Sequence, residues 1–368
     1  MNIPFVDLKS QYANMKGEID SAIKNVVEET AFIRGKYVDN FEKAYVSEYG
    51  VKHCISVGNG TDGIYIALKM LGVGSGDEVI TSACSWIATS ETITQAGAKP
   101  VFIDIESDYY ALDPALIERK ITKKTKAIIP VHFYGQPARM DKIMEIAKKH
   151  GLYVIEDCAQ AHFATFKGKK VGTIGNVGVF SFYPSKNLGA YGDAGCIVTD
   201  DDALAYKMRL YANHGSVNKI DHLFEGINSR MDGMQASILL AKLPYIHEWN
   251  RKRYENAMIY NSMIEGIGDI EIPVVRDECS HVFHVYAIRT EKRNELREFL
   301  SSNGIQTMIH YPKALPFLEA YKYLNHDKKD FPLAYKYQSE ILSLPMYPEL
   351  KKSQIEYTVG KIKKFFQR

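Results

Sequence analysis

Lys186 lies in residues 180–195, FSFYPSKNLGAYGDAG, a glycine-rich connection between two apolar runs. Lysine normally extends its ammonium into water. Held in a pocket near another cation, the amine sheds its proton more readily and becomes a nucleophile and a base. The plain alternative is a surface lysine in a loop. Asp157 ends the apolar run 153–156. A carboxylate there is costly unless it meets a cation or several donors. A protonated ring nitrogen is such a partner, and a helix cap is the ordinary alternative.

Two further loops carry unusual residues. Residues 58–63 read GNGTDG between an apolar run and a helical pattern. Glycines allow a sharp turn and close approach to a ligand. The free amides of the following helix start, with the Thr61 hydroxyl, suit a phosphate, as they equally suit a capped strand-to-helix turn. Trp86, one of two tryptophans, follows the run 78–82. There it either covers a flat aromatic ring by stacking or fills the core. In residues 156–162, EDCAQAH, Glu156 alternates to the face opposite Asp157 and reads as structural, and His162 is a core histidine or a ligand contact. Taken together, a lysine able to form a Schiff base, an acid for a pyridine nitrogen, a stacking ring and a phosphate cup are the parts that pyridoxal 5'-phosphate (PLP) catalysis requires.

These residues need a scaffold that brings four loops together. Short apolar runs at 54–57, 78–82, 100–105, 127–131, 153–156, 177–182 and 195–199 carry few charges and read as strands buried on both faces. Helical patterns at 61–71, 86–96 and 140–150 fall between the early ones. This alternation predicts an α/β fold with a mostly parallel sheet covered by helices. Ligands of such sheets bind beyond the carboxyl ends of the strands. The later chain predicts a long helix at 231–264, a strand at 281–290, a helix at 291–303, a short strand at 306–309 and a terminal helix at 353–366. An N-terminal helix is expected at 11–29. The division is a large domain, 1–240, and a smaller α+β domain, 241–368.

With 368 residues, 46% hydrophobic and 24% charged, the chain has ample core for two domains. A net charge of +2 gives no footprint for nucleic acid. The five cysteines are scattered with no CxxC pair, which implies reduced thiols rather than a disulfide or zinc framework. Nothing resembles a secretion signal or a membrane span, so a cytoplasmic protein is expected.

The motifs also occur in a familiar order: FVDL at 5–8, GNGTDG at 58–63, DEVIT at 77–81, PVFIDI at 100–105, VHFYGQ at 131–136, EDCAQAH at 156–162, SFYPSKNLGAYGDAG at 181–195, NSRMD at 228–232 and IHYP at 309–312. In this order the chain resembles the DegT/DnrJ/EryC1/StrS sugar aminotransferases over essentially its whole length. The resemblance implies the aspartate-aminotransferase type of fold (fold type I). It implies that Lys186 is the PLP lysine, that Asp157 holds the pyridinium nitrogen, that Gln160 bonds the ring hydroxyl oxygen and that Trp86 stacks on the ring. The phosphate would be held by Gly60, Thr61 and Ser181, and by Asn228 of a neighbouring subunit, which implies a homodimer with shared active sites. Without the resemblance, Asn228 reads as a helix cap before Met231. Relatives with histidine in place of the lysine act as dehydratases, so Lys186 favours transamination.

The implied reaction moves an amino group from L-glutamate to a nucleotide-linked keto-sugar, for a surface glycan or similar product. Residues 213–216 and 228–232 look most like members that aminate carbon 3 of a dTDP- or UDP-sugar. Carbon 4, a cyclitol ketone, or an idle sugar-binding homologue are the alternatives. Tyr183, His310 and Tyr311 are candidates to hold the sugar, or else ordinary packing at the domain interface. Two departures fall where the sugar or its nucleotide is expected. Phe163 stands where glycine is usual, and residues 313–316 read KALP after the HYP segment.

Overall fold

The computed structural model describes residues 1–367. Three helices lead in: α1 (Leu8–Asn14), α2 (Lys16–Glu28) and α3 (Lys36–Tyr49). The expected single helix at 11–29 is two, because the backbone leaves the helical region at Met15, whose side chain is buried in the core beside α3. Then β1 (His53–Val57), α4 (Gly60–Met70), β2 (Glu78–Ser82), α5 (Ala88–Gln95), β3 (Lys99–Ile103), β4 (Thr125–Ile129), α6 (Met140–His150) and β5 (Tyr153–Asp157) follow the expected alternation. A two-residue hairpin, β6 (Thr165–Phe166) and β7 (Lys169–Lys170), precedes β8 (Val177–Ser181) and β9 (Gly195–Thr199).

Seven of these strands form one sheet in the order β1-β9-β8-β5-β4-β2-β3. Every neighbouring pair is parallel except the two that involve β9, which runs against both β1 and β8. Alternate residues serve opposite faces. On β9, Ile197 packs with α4 and α7 (Asp202–Tyr211), while Cys196 and Val198 pack with α3 and α8 (Gly233–Lys242). Helices cover both faces, so the strands need no polar side, and this made them legible as unbroken apolar runs.

The expected helix at 231–264 is also interrupted. α8 ends at Lys242, and a short turn containing Pro244 leads into α9 (Ile246–Ile264). Proline lacks the N–H that a continuous helix needs and crowds the preceding turn. After α9 a smaller unit pairs β10 (Tyr286–Arg289) with β11 (Ile341–Leu344), flanked by α10 (Arg293–Ser302), α11 (Pro332–Glu340) and α12 (Lys352–Phe366). The strand expected at 281–290 forms only over β10, because Val282 gives its N–H to the Gly135 carbonyl instead of a ladder. Residues 306–309 make one bridge, Met308 to Ser343, and no strand. Ile3 pairs with Ile305, so the first residues join this unit.

Candidate active site

The parallel run of β1, β2, β5 and β8 puts their carboxyl ends on one edge of the sheet. Because β9 returns antiparallel from β8, the Lys186 connection opens on that edge too. All four loops singled out in the sequence therefore converge there.

The β1–α4 turn is packed hard against the start of the Lys186 loop. A Cβ on Gly60 would lie 2.9 Å from Ser181 Cβ, and one on Gly195 would lie 2.5 Å from the Asn59 carbonyl carbon. Asn59 caps α4 by accepting from Asp62 N–H at 2.8 Å. The strand-to-helix turn is therefore capped as well as open to a ligand, with Asn59 as the cap. The amides of Gly60 and Thr61, in the first turn, have no intrahelical acceptor. Gly60 abuts Ser181, and the helix dipole favours an anion at this end of α4. Ser229 braces the turn: it accepts from Gly58 N–H at 3.0 Å and donates to Asp62 at 2.6 Å.

Asp157 is buried and is not a helix cap. Its Oδ1 accepts from Ala159 N–H at 3.1 Å, and its Oδ2 from the Thr89 hydroxyl at 2.7 Å. Since Thr89 gives its one proton to Asp157, Ser85 must be the donor in the 2.7 Å contact between the two hydroxyls. The chain runs Ser85 to Thr89 to Asp157. Glu156, on the other face, accepts from the amides of Gly172, Ile174 and Gly175 and pairs with His132, a structural role as its alternation indicated.

Lys186 is half-buried, and it is not a free surface lysine. Burial pushes its ammonium down to about 8, against the opposing attraction of Asp157. At pH 7 that leaves on the order of one amine in ten unprotonated, against fewer than one in a thousand for an ordinary lysine. His162 and His310 lie within the lysine's field: burial, then the Lys186 charge, press them to about 3 and about 4. His162 is fully buried with neither ring nitrogen bonded, so it is a core histidine but not a satisfied one.

Trp86 is 58% exposed, which removes the core reading, and its ring stands 5.4 Å from that of Tyr311. Gln160 uses Oε1 to accept from Tyr134 N–H at 2.7 Å, which turns its amide nitrogen toward the Tyr311 hydroxyl at 3.3 Å with one N–H to spare. His310 bonds Ser343 through Nδ1 at 2.9 Å. Tyr183 is exposed at the mouth. A narrow crevice beside Tyr311, with room for little more than one water molecule, is lined by Ser85, Phe133, His310, Lys313 and Gln338.

Lys186, Asp157, Gln160, Trp86, Gly60, Thr61, Ser181, Tyr183, His310 and Tyr311 thus share one edge of the molecule. Asn228 stands apart: it is exposed, pairs through its main chain with Asn213, and is no cap for α8, which begins after Asp232. Phe163 is also elsewhere. It is buried against Tyr49, Tyr45 and His247 in the core under α3, so this departure does not line the site. Lys313 does line it. Nothing local in the sequence marks Thr89 or Ser229. Thr89 stands three residues after Trp86, and only the β5 neighbourhood gives its hydroxyl a meaning.

The DegT/DnrJ/EryC1/StrS aminotransferase family model matches residues 13–363. The chain belongs to that family. It is 47% identical to the pleiotropic regulatory protein of Geobacillus stearothermophilus, with 100% of this chain and 99% of that protein covered. It is 42% identical to the UDP-N-acetyl-3-dehydro-alpha-D-glucosamine 3-aminotransferase of Acidithiobacillus ferrooxidans, covering 96% and 95%. The crystal structure of Streptomyces venezuelae DesV in complex with a ketimine intermediate superimposes with a TM-score of 0.97 at 38% identity, covering 100% and 99%. The chain is an aminotransferase of the fold type I class, and PLP is its cofactor. The residues present fit that group: unpaired amides at Gly60 and Thr61 beside the Ser181 hydroxyl, a buried carboxylate at the far side, and an amine in the field of that carboxylate.

Proposed function

We propose that this aminotransferase moves an amino group from L-glutamate to carbon 3 of a nucleotide-linked 3-keto-sugar, carried on UDP or dTDP. The observation that carries the aminotransferase chemistry is the Lys186 amine, depressed to about 8 by burial and set in the field of the buried Asp157 carboxylate. Bound there, PLP supplies a carbon that carries the amino group and a ring that withdraws electrons from the reacting centre.

The chain's own residues do the rest. Gly60, Thr61 and Ser181 would hold the phosphate. Asp157, oriented by Thr89, would keep a proton on the ring nitrogen, a charge fixed in place before reaction. Gln160 would offer its spare N–H to the ring oxygen, and Trp86 would cover the ring face. Lys186 would anchor the group and, with its amine free, would take up and give back a proton at the substrate carbon as base and acid. Tyr183, exposed, and His310 and Tyr311, which line the crevice beside it, are the residues proposed to hold the sugar. The carbon-3 assignment draws on the Acidithiobacillus relative and on the sequence around 213–216 and 228–232.

The protein works as a homodimer in the cytoplasm, with Asn228 completing the partner's phosphate cup. Support comes from the exposed apolar residues Phe32, Ile33, Ile220 and Leu223, two of them on the 213–228 loop that leads to Asn228. The five free cysteines suit a reducing compartment. Among the described residues no helix is long and apolar enough to cross a membrane.

The test is a panel of UDP- and dTDP-linked 3-keto- and 4-keto-sugars and cyclitol ketones, assayed with the purified protein and L-glutamate. Selective turnover of a 3-keto-sugar, abolished in Lys186→Ala, is the expected result. Preference for a 4-keto-sugar or a cyclitol ketone overturns the substrate. No change in the visible spectrum on adding L-glutamate overturns the donor.

A further inference from the structure

A second lysine is buried more completely than Lys186. Lys242, the last residue of α8, has no solvent exposure, a rare place for an ammonium. Its Nζ donates to the Gly189 carbonyl at 2.7 Å and stands 4.2 Å from the centroid of the Tyr191 ring, whose face attracts a cation. Burial pushes the ammonium down to about 8 against the pull of Glu349, which leaves about nine in ten charged at pH 7.

Both partners lie on the loop that carries Lys186. That loop closes on itself. Ala190 N–H bonds the Phe182 carbonyl at 2.8 Å, and Lys186 N–H bonds the Tyr183 carbonyl at 2.8 Å. Gly189 is pressed against the same turn: a Cβ on it would lie 2.3 Å from the Pro184 carbonyl oxygen and 3.0 Å from that of Tyr183. Gly189 thus abuts the carbonyl that holds the Lys186 amide, and the lysine follows where Gly189 goes. Two turns earlier on the same face of α8, Gln235 accepts Tyr191 N–H at 2.9 Å. α8 is itself anchored. Ser237 donates to the Ala22 carbonyl at 3.0 Å, and a Cβ on Gly233 would lie 2.1 Å from the Ala31 carbonyl oxygen.

Asn187, beside the lysine, is tied to Asn250 of α9 at 2.8 Å. One tie is a pivot. A second, through Gly189, removes rotation about it. Packing alone does not call for a charge here, since an apolar side chain of similar volume fills such a place without the desolvation cost.

We propose that Lys242 is a positioning residue of the reaction: its ammonium, held on the Gly189 carbonyl and over the Tyr191 ring, locks the trailing leg of the Lys186 loop and so presents the Lys186 amine at a fixed point. The inference rests on Lys186 being the reacting lysine.

The test is Lys242→Met, which keeps the length of the side chain and removes the charge and the donor. In the cofactor-free full-length protein, hydrogen exchange read by mass spectrometry speeds up about tenfold in peptides covering 183–191 and keeps the wild-type rate in α2, α3 and α8. Added PLP is then fixed with borohydride, and the modified lysine is identified by peptide mass spectrometry. At saturating PLP, capture by Lys186 slows about tenfold, because a wandering amine loses effective concentration. The PLP concentration for half the maximal rate stays within about twofold, because Gly60, Thr61 and Ser181 are untouched. Lys242→Gln, which keeps an N–H donor, recovers most of the rate.

Wild-type exchange and capture in a Lys242→Met protein that melts cooperatively overturn the proposal. So does faster exchange spread equally through α2, α3 and α8, which makes Lys242 a support for helix packing. If Lys242→Met fails to fold, Gln235→Leu decides: it frees the same leg at Tyr191, and unchanged loop exchange and capture there overturn the lock. Failure of the underlying reading shows separately, as PLP fixed to a lysine other than Lys186 in the wild type.

Discussion

Thr89→Val removes one hydroxyl and almost no volume, and it isolates what holds Asp157. The Thr89 hydroxyl and the carboxylate are both buried and 2.7 Å apart. A hydrogen bond to a charged group contributes about 1.5–3 kcal/mol, and a buried acceptor left without its donor costs about as much again as its desolvation. Ala159 N–H remains on the other oxygen and keeps the loss at the lower end. The cofactor-free protein should lose about 2 kcal/mol of stability at pH 7, read as a fall of several degrees in Tm. With PLP bound, a carboxylate no longer held on that side misplaces its contact with the ring. The same loss in the transition state lowers kcat roughly ten- to a hundredfold. Thr89→Ser keeps the donor and should recover most of both. Ser85→Ala removes only the donor behind Thr89 and should cost under about 1 kcal/mol. The assays are thermal melting without cofactor and single-turnover rates with it. Wild-type Tm and rate in Thr89→Val, or a Ser variant no better than Val, would refute the argument that this hydroxyl orients the acid.

Three other outcomes follow from the site. The folded-state value of Lys186 lies below the unfolded value of 10.5, so the penalty of burying its charge is complete below about pH 8 and vanishes as pH rises through 10.5. Lys186→Met should therefore raise the Tm of the cofactor-free protein at pH 7 and leave it unchanged near pH 11; an equal effect at both pH values sinks the assignment. Gly60→Ala forces a Cβ to within 2.9 Å of Ser181, costing about 1–3 kcal/mol of stability and weakening PLP binding, measured by spectral titration. Asn228→Ala and Lys186→Ala, each with little activity alone, should regain activity when refolded together, because a mixed dimer holds one intact site. Absence of any recovery in a mixture shown to contain mixed dimers rules out the shared cup.

Most of the sheet was readable because a strand covered on both faces has only apolar choices, as at Val177–Ser181 and Gly195–Thr199. The helix breaks were harder to read. Met15 interrupts a helical pattern with a good helix former, and the turn around Pro244 sits inside an otherwise continuous apolar rhythm. The site was legible where a residue type was costly in its place: a carboxylate at a strand end, a lysine among glycines. It was opaque where ordinary residues acquire a role from a neighbour far along the chain. Thr89 reaches Asp157 across 68 positions, and Ser229 reaches Asp62 across 167. Phe163 shows the converse, since its unusual identity pointed to the sugar, while the fold turned its ring into the aromatic core around Tyr49.

The sequence by itself determined the order of strands and helices, and the four loops whose side chains carry the chemistry, because hydrophobic periodicity and misplaced polar groups are local properties. Only the tertiary structure decided the reversal of β9 that returns the Lys186 loop to the edge where Asp157 ends, and the orientation of each polar group there. Orientation depends on which donors and acceptors meet across the fold, as the Thr89 hydroxyl on Asp157 and the Tyr134 N–H on Gln160 show, and no local pattern encodes those meetings.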